Sequence, residues 1–147
     1  MTEQTNKQNI LNSPIEIFTR NMFTEIIQKL SAFLAQGDFS LSEIAALHVI
    51  DKADGLSLGA IAERLNLSKS ATSRLIAGLE DKKLLLRKTD SEDSRAIVIT
   101  CSKVGRKFLD EMSIERAIAA KQVIRELPSA ISKKLLSALA DFERSHL

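Results

Sequence analysis

Residues 56–101 read LSLGAIAERLNLSKSATSRLIAGLEDKKLLLRKTDSEDSRAIVITC, and the order of signals in this stretch decides the fold. Residues 58–65 have the composition of a short helix. Asn66, which tolerates the left-handed turn conformation, closes it. Ser68 then caps a second helix within three residues, and two helices joined by so short a turn form a helix-turn-helix. In the second helix Thr72, Leu75, Ile76 and Leu79 fall at i, i+3, i+4 and i+7, a single inward stripe. Ser70, Ser73, Arg74 and Ala77 point the other way. Residues 84–88 and 96–100 are β-rich runs around a polar, charged tip, so they read as a hairpin. A helix-turn-helix followed by a hairpin is a winged helix.

Outward from this segment the chain reads as helix. Ser40, with Glu43 three residues later, is a capping box for a helix carrying Leu47 and Ile50 and stopped by Asp54 and Gly55. Before it, Ser13 and Pro14 start a long helix with Ile15, Phe18, Met22, Ile26, Leu30 and Phe33 on one face, ending at Gln36, Gly37 and Asp38. After the hairpin, Val104, Phe108, Met112, Ala119 and Val123 mark another helix. Pro128 breaks it, and a last helix carries Ile131, Leu135, Leu136, Leu139 and Phe142. These outer helices have more apolar surface than a winged helix of this size can cover, which points to a symmetric dimer.

Composition excludes several alternatives. The 147 residues are 44% hydrophobic and 27% charged, ordinary globular usage for one domain. Five Gly and two Pro leave little material for the tight turns of an all-β fold. No apolar run is long enough for a spanning helix, so no membrane partner is expected. A single Cys and a polar N-terminus fit a reduced cytoplasm. The net charge of +2 is unevenly spread. Residues 60–107 hold eleven Lys or Arg against six acids, a balance of +5, while the remainder holds ten against thirteen, −3. A polyanion-binding face in the middle of the chain is the reading that this asymmetry favours.

The inventory offers no enzyme: no Gly-rich phosphate loop follows a strand, and no local motif suggests a catalytic Ser or Cys with a His. His48, His146 and Cys101 do not make up a usual metal-ligand set, and no cofactor is expected. The outward face of the second motif helix is small, hydroxylated and cationic. Short side chains let a backbone approach DNA closely, and Arg can bond guanine with two hydrogen bonds.

The stretch resembles the MarR (multiple antibiotic resistance regulator) family of bacterial winged helix-turn-helix transcription factors. The match runs through Ile61 to Leu65, through Leu67, Ser68, Lys69 and Ser70, through Leu79 and Glu80, through Asp93, Ser94 and Arg95, and through Ser102, Gly105 and Arg106. The resemblance implies a mainly α, single-domain chain with a DNA-binding lobe at 39–101 and dimerisation helices at 13–36 and 103–147. It implies a cytoplasmic homodimer, usually a repressor, on a pseudo-palindromic double-stranded DNA operator. It puts Ser68, Lys69, Ser70, Ser73 and Arg74 at the major groove, Arg95 at the minor groove with Asp93 orienting it, and Arg87 and Lys88 near phosphate. A small aromatic or anionic inducer would sit near Phe18, Met22, Phe23 and His48, with Arg106 or Lys107 as its anion partner. Three positions depart from the family pattern. Lys83 stands where Gly usually ends the recognition helix, Gly59 and Ala60 replace a polar pair, and Cys101, expected to be half-buried, replaces Leu. The alternative from another class is a winged helix that contacts protein, an adaptor or antagonist without DNA.

Overall fold

A computed structural model describes residues 11, 13–53, 55–89 and 96–146. Among the described residues six helices and a two-stranded antiparallel sheet follow in the order α1 (Pro14–Gln36), α2 (Leu41–Asp51), α3 (Leu58–Leu65), α4 (Lys69–Asp81), β1 (Leu85–Thr89), β2 (Ile97–Cys101), α5 (Lys103–Glu126) and α6 (Ser129–His146). Residues 33–113 form one unit, and the described residues before 33 and after 113 form another.

The 33–113 unit is the winged helix. Its core joins Leu47 and Ile50 of α2, Ile61 of α3, Ile76 and Leu79 of α4, Leu85 and Ile99 of the hairpin, and Leu109 of α5. Local chemistry sets where its helices begin. Ser40, Ser57 and Ser68 each accept a backbone N–H at the start of α2, α3 and α4, and Ser40 with Glu43 completes a capping box. Three helices end on left-handed residues that are not glycine: Asp38, Asn66 and Lys83, with φ of 51°, 52° and 62°. After α4 the Lys83 N–H bonds Glu80 O at 2.8 Å and the Leu84 N–H bonds Leu79 O at 2.9 Å. Those two bonds are a Schellman motif, which satisfies carbonyls that the helix end leaves open.

Some boundaries differ from the sequence expectation. Helix α2 stops at Asp51 with Lys52 as its C-cap, ahead of the expected stop at Asp54 and Gly55. The cause lies elsewhere in the chain: Leu56 exchanges two backbone hydrogen bonds with Ile99, 3.1 and 2.8 Å long, and so must already be extended. Gly55, at φ 107°, makes the turn into that bridge. The hairpin pairs Leu85 with Cys101 and Thr89 with Ile97, one residue later than expected, because Leu84 is occupied in closing α4. Cys101 is fully buried at the end of β2, not half-buried. The expected hairpin tip and the residue Asp54 lie outside the described residues.

In the other unit Ala119, Val123 and Ile124 of α5 are buried, and Lys29 pairs with Glu115 at 3.6 Å. Much of its apolar surface stays open: Ile15, Ile17, Phe23, Ile114, Ile118, Ile131, Leu136, Leu139 and Phe142 are all exposed. The apolar stripe expected on α1 therefore exists as a pattern, yet no residue of α1 is fully buried. Between α1 and α5 lies a cleft of about 730 Å³, lined by Phe18, Val123 and Leu127 with Glu25 and Glu126. Among the described residues no helix is long and apolar enough to cross a membrane.

Candidate nucleic-acid interface

The candidate interface begins at the turn between α3 and α4. Asn66 reverses the chain, and Ser68 then caps α4, its Oγ accepting the Ala71 N–H at 3.2 Å and lying 3.1 Å from Ser70 Oγ. Thr72 is fully buried, and its hydroxyl donates to Ser68 O at 3.0 Å, which spends an otherwise costly buried polar group inside the helix. With Thr72, Ile76 and Leu79 turned inward, Ser68, Lys69, Ser70, Ser73, Arg74 and Ala77 are all exposed. The helix therefore presents hydroxyls, a methyl and two cations along one face, and at its N-terminal end, beside Ser68, Lys69 and Ser70, backbone N–H groups and the helix dipole also favour an anion.

The wing carries Arg87 and Lys88 on β1, both exposed. Arg87 is already engaged. Its Nε donates to Glu80 Oε1 at 2.8 Å and its second guanidinium nitrogen to Oε2 at 3.1 Å, a two-pronged bond that ties the hairpin to α4 and raises the guanidinium pKa further. To meet a phosphate, Arg87 would have to share those donors. Asp93 and Arg95 lie outside the described residues.

The residues expected around an inducer belong to both units. Phe18 lines the α1–α5 cleft, whereas Met22 and Phe23 are not part of its lining, and Phe23 is 65% exposed. His48, Arg106 and Lys107 belong to the 33–113 unit. There Arg106 pairs with Asp51 at 3.6 Å and Lys107 with Glu111 at 3.7 Å. Cys101 sits beside Asp51, and burial, reinforced by that negative charge and opposed by Arg106, pushes its thiol up to about 11. No group of three potential metal ligands occurs among the described residues.

Two contacts at the far end of α4 escaped the sequence reading. One is the Glu80–Arg87 pair. The other is Lys82, whose Nζ donates to Glu43 Oε1 at 2.9 Å and to Asp38 O at 2.6 Å. Burial raises the Glu43 carboxyl, but hydrogen bonds from the Ser40 backbone and from Lys82 outweigh it and hold the group below its ordinary value. The capping-box pattern pointed to Glu43, though nothing local pointed to its partner.

A buried three-helix core, an exposed second motif helix and an adjoining antiparallel hairpin define a winged helix-turn-helix. Residues 38–96 match the model of the MarR family. The chain is 27% identical over 119 residues to YxaD, an HTH-type transcriptional regulator of Bacillus subtilis (strain 168), covering 78% of this chain and 82% of that protein. Its fold resembles that of the S. aureus MepR–DNA complex with a TM-score of 0.69 and 24% identity, over 87% of this chain and 96% of that one. It also resembles S. aureus MepR bound to ethidium bromide, with a TM-score of 0.61 and 22% identity over 90% and 94% of the two chains. The segment that carries the helix-turn-helix and β1 is thus similar to the MarR family. That family is one of transcriptional regulators, not of enzymes.

Proposed function

We propose that the protein is a DNA-binding transcriptional regulator, a ligand-responsive repressor that binds a pseudo-palindromic operator as a homodimer. The observation that carries this reading is the exposed face of α4: Ser68, Lys69, Ser70, Ser73 and Arg74 lie together with no acidic side chain among them. These five residues read the major groove. Lys88 meets phosphate with Arg87 beside it, and Arg95, oriented by Asp93, reaches the minor groove. The relative solved with DNA supports the reading by its fold.

The second copy is supported by the apolar residues that the helical unit leaves open, since contiguous exposed apolar surface marks an interaction site. Residues 13–36 and 103–147 supply that interface, and residues 39–101 carry the DNA. A small aromatic or anionic inducer shifts the dimer between operator-binding and released arrangements, with Phe18 of the α1–α5 cleft as its first contact. Met22, Phe23, His48, Arg106 and Lys107 complete the candidate set. Such a role places the protein in the cytoplasm.

Selection of duplexes from a random pool by the purified protein tests the reading. It should return two-fold related half-sites about one helical turn, roughly 10 bp, apart, because two recognition helices on one face of a dimer meet successive major grooves. Affinity for the selected duplex should fall steeply with salt. A protein that selects no duplex, or whose binding ignores salt, is instead the protein-contacting winged helix.

A further inference from the structure

Helix α4 is held at its two ends by different means. At the N-terminal end the buried Thr72 and Ile76 hold it by contact with the core. Burial of this kind, which continues at Leu79, resists separation but contributes no directional bond. The other end is held by directional bonds. Lys82, the C-cap of α4, reaches 39 and 44 residues back along the chain to Glu43 and to the carbonyl of Asp38, and its ammonium lies 4.3 Å from the centre of the Phe39 ring. Phe39 in turn packs on Phe108, with ring centres 4.4 Å apart. Glu43 uses its second oxygen for the α2 cap, accepting the Ser40 N–H at 2.7 Å and the Ser40 hydroxyl at 2.8 Å. The Glu43 side chain is only 14% exposed.

We infer that Lys82 and Glu43 are positioning residues for DNA recognition: they fix the rotation and tilt of α4 from its far end without touching DNA themselves. The inference rests on the DNA-binding reading above. Eight residues separate Lys82 from Arg74, about 12 Å along a helix. A swing of about 5° at the Lys82 end therefore moves Arg74 by roughly 1 Å, whereas a recognition group must be held to within about 0.5 Å. Two of the ammonium's three N–H donors go to Asp38 and Glu43, so a phosphate would have to compete for them or take the third.

Charge makes the test decisive. Glu43→Gln makes the protein more positive, so general attraction to DNA predicts tighter binding, whereas loss of positioning predicts weaker binding to the operator. Affinities of wild type, Lys82→Met, Lys82→Arg and Glu43→Gln are measured for a selected operator and for a random duplex over a range of salt. Lys82→Met and Glu43→Gln should each weaken operator binding about 10-fold and change random-duplex binding less than about 2-fold, with the salt slope on the operator unchanged. The double variant should be no worse than either single one, and Lys82→Arg should restore most of the affinity. If Lys82→Met does not fold, Glu43→Gln decides. Equal losses on both duplexes from Lys82→Met, with a salt slope shallower by about 0.9 per protomer, would make Lys82 a phosphate contact and overturn the inference. Lower melting temperatures with an unchanged operator-to-random ratio would overturn it too, by making the pair purely structural. In both cases a selective wild type leaves the DNA-binding reading standing. A wild type that prefers no duplex removes that reading, and the positioning role with it.

Discussion

Gly105 and Gly59 both lie in the first turn of a helix, and replacing each with Ala should move stability in opposite directions. A Cβ at Gly59 of α3 would meet only Ser57 Oγ, at 3.9 Å. Gly59→Ala should therefore show the ordinary helix-propensity gain, about 0.5–1 kcal/mol. A Cβ at Gly105 of α5 would lie 2.2 Å from Leu84 O, 2.8 Å from Cys101 Sγ and 3.1 Å from Leu84 C. The first contact is about 1 Å too short and is with backbone, so α5 and the Leu84 peptide must separate. That peptide accepts the Ser102 N–H at 2.9 Å, while Ser102 Oγ donates to Lys83 O at 2.7 Å and accepts the Gly105 N–H at 2.9 Å. Overpacking costs about 1–3 kcal/mol and a disrupted hydrogen bond about 1. Set against the same propensity gain, Gly105→Ala should destabilise by about 1–3 kcal/mol, or roughly 3–10 °C in melting temperature for a chain of this length. Urea and thermal unfolding followed by circular dichroism, at one protein concentration, measure both variants against wild type. Because Leu84 links α4 to the wing, Gly105→Ala should also weaken operator binding. A Gly105→Ala protein as stable as wild type would refute the close approach of α5 to the hairpin.

Further predictions concern Lys83, Cys101 and Glu43. Lys83 holds a left-handed conformation with an exposed side chain, so Lys83→Gly should raise stability by up to about 1 kcal/mol in the same unfolding assay. Cys101, pushed from 9.0 to about 11, should be alkylated by iodoacetamide about 100-fold more slowly at pH 8 than a free thiol, on its thiolate fraction alone. Unfolding in urea should abolish that protection. The Glu43 carboxyl lies below its ordinary 4.5, so its contribution to stability is present above that pH and is lost as pH falls through the folded value. Unfolding measured between pH 3 and 6 should therefore show a shallower acid loss for Glu43→Gln than for wild type.

How far the sequence reading reached depends on how local each signal is. Ser40 with Glu43, Ser57, Ser68 and Asn66 act within three residues of themselves, and the helix ends that they govern fall where the reading put them. The inward stripe of Thr72, Leu75, Ile76 and Leu79 was equally legible, because a 3.6-residue period is a property of the helix itself, and of the four only Leu75 is partly rather than fully buried. Signals set by distant partners were not. The end of α2 depends on Leu56 meeting Ile99, and the hairpin register depends on Leu84 serving α4. Lys82 finds Glu43 across 39 residues, and Arg87 finds Glu80 across the turn into β1. Gly105 was visible only as part of a family motif, since the carbonyl that excludes its Cβ comes from another element. The candidate inducer set was read from a resemblance rather than from spacing, and its members divide between the two units.

The central claim is that the exposed face of α4 reads DNA, and Arg74 is the residue on that face through which to test it. The measurement is the affinity of wild type and Arg74→Ala for the selected operator and for a random duplex of equal length, at one fixed salt concentration. A two-pronged contact to guanine predicts a loss of about 1–3 kcal/mol, roughly 5- to 150-fold, on the operator and a much smaller loss on the random duplex, with preference relaxed at one position of each half-site. Equal losses on both duplexes would reduce Arg74 to a phosphate contact, and no loss on either would contradict the assignment of α4 as the recognition helix.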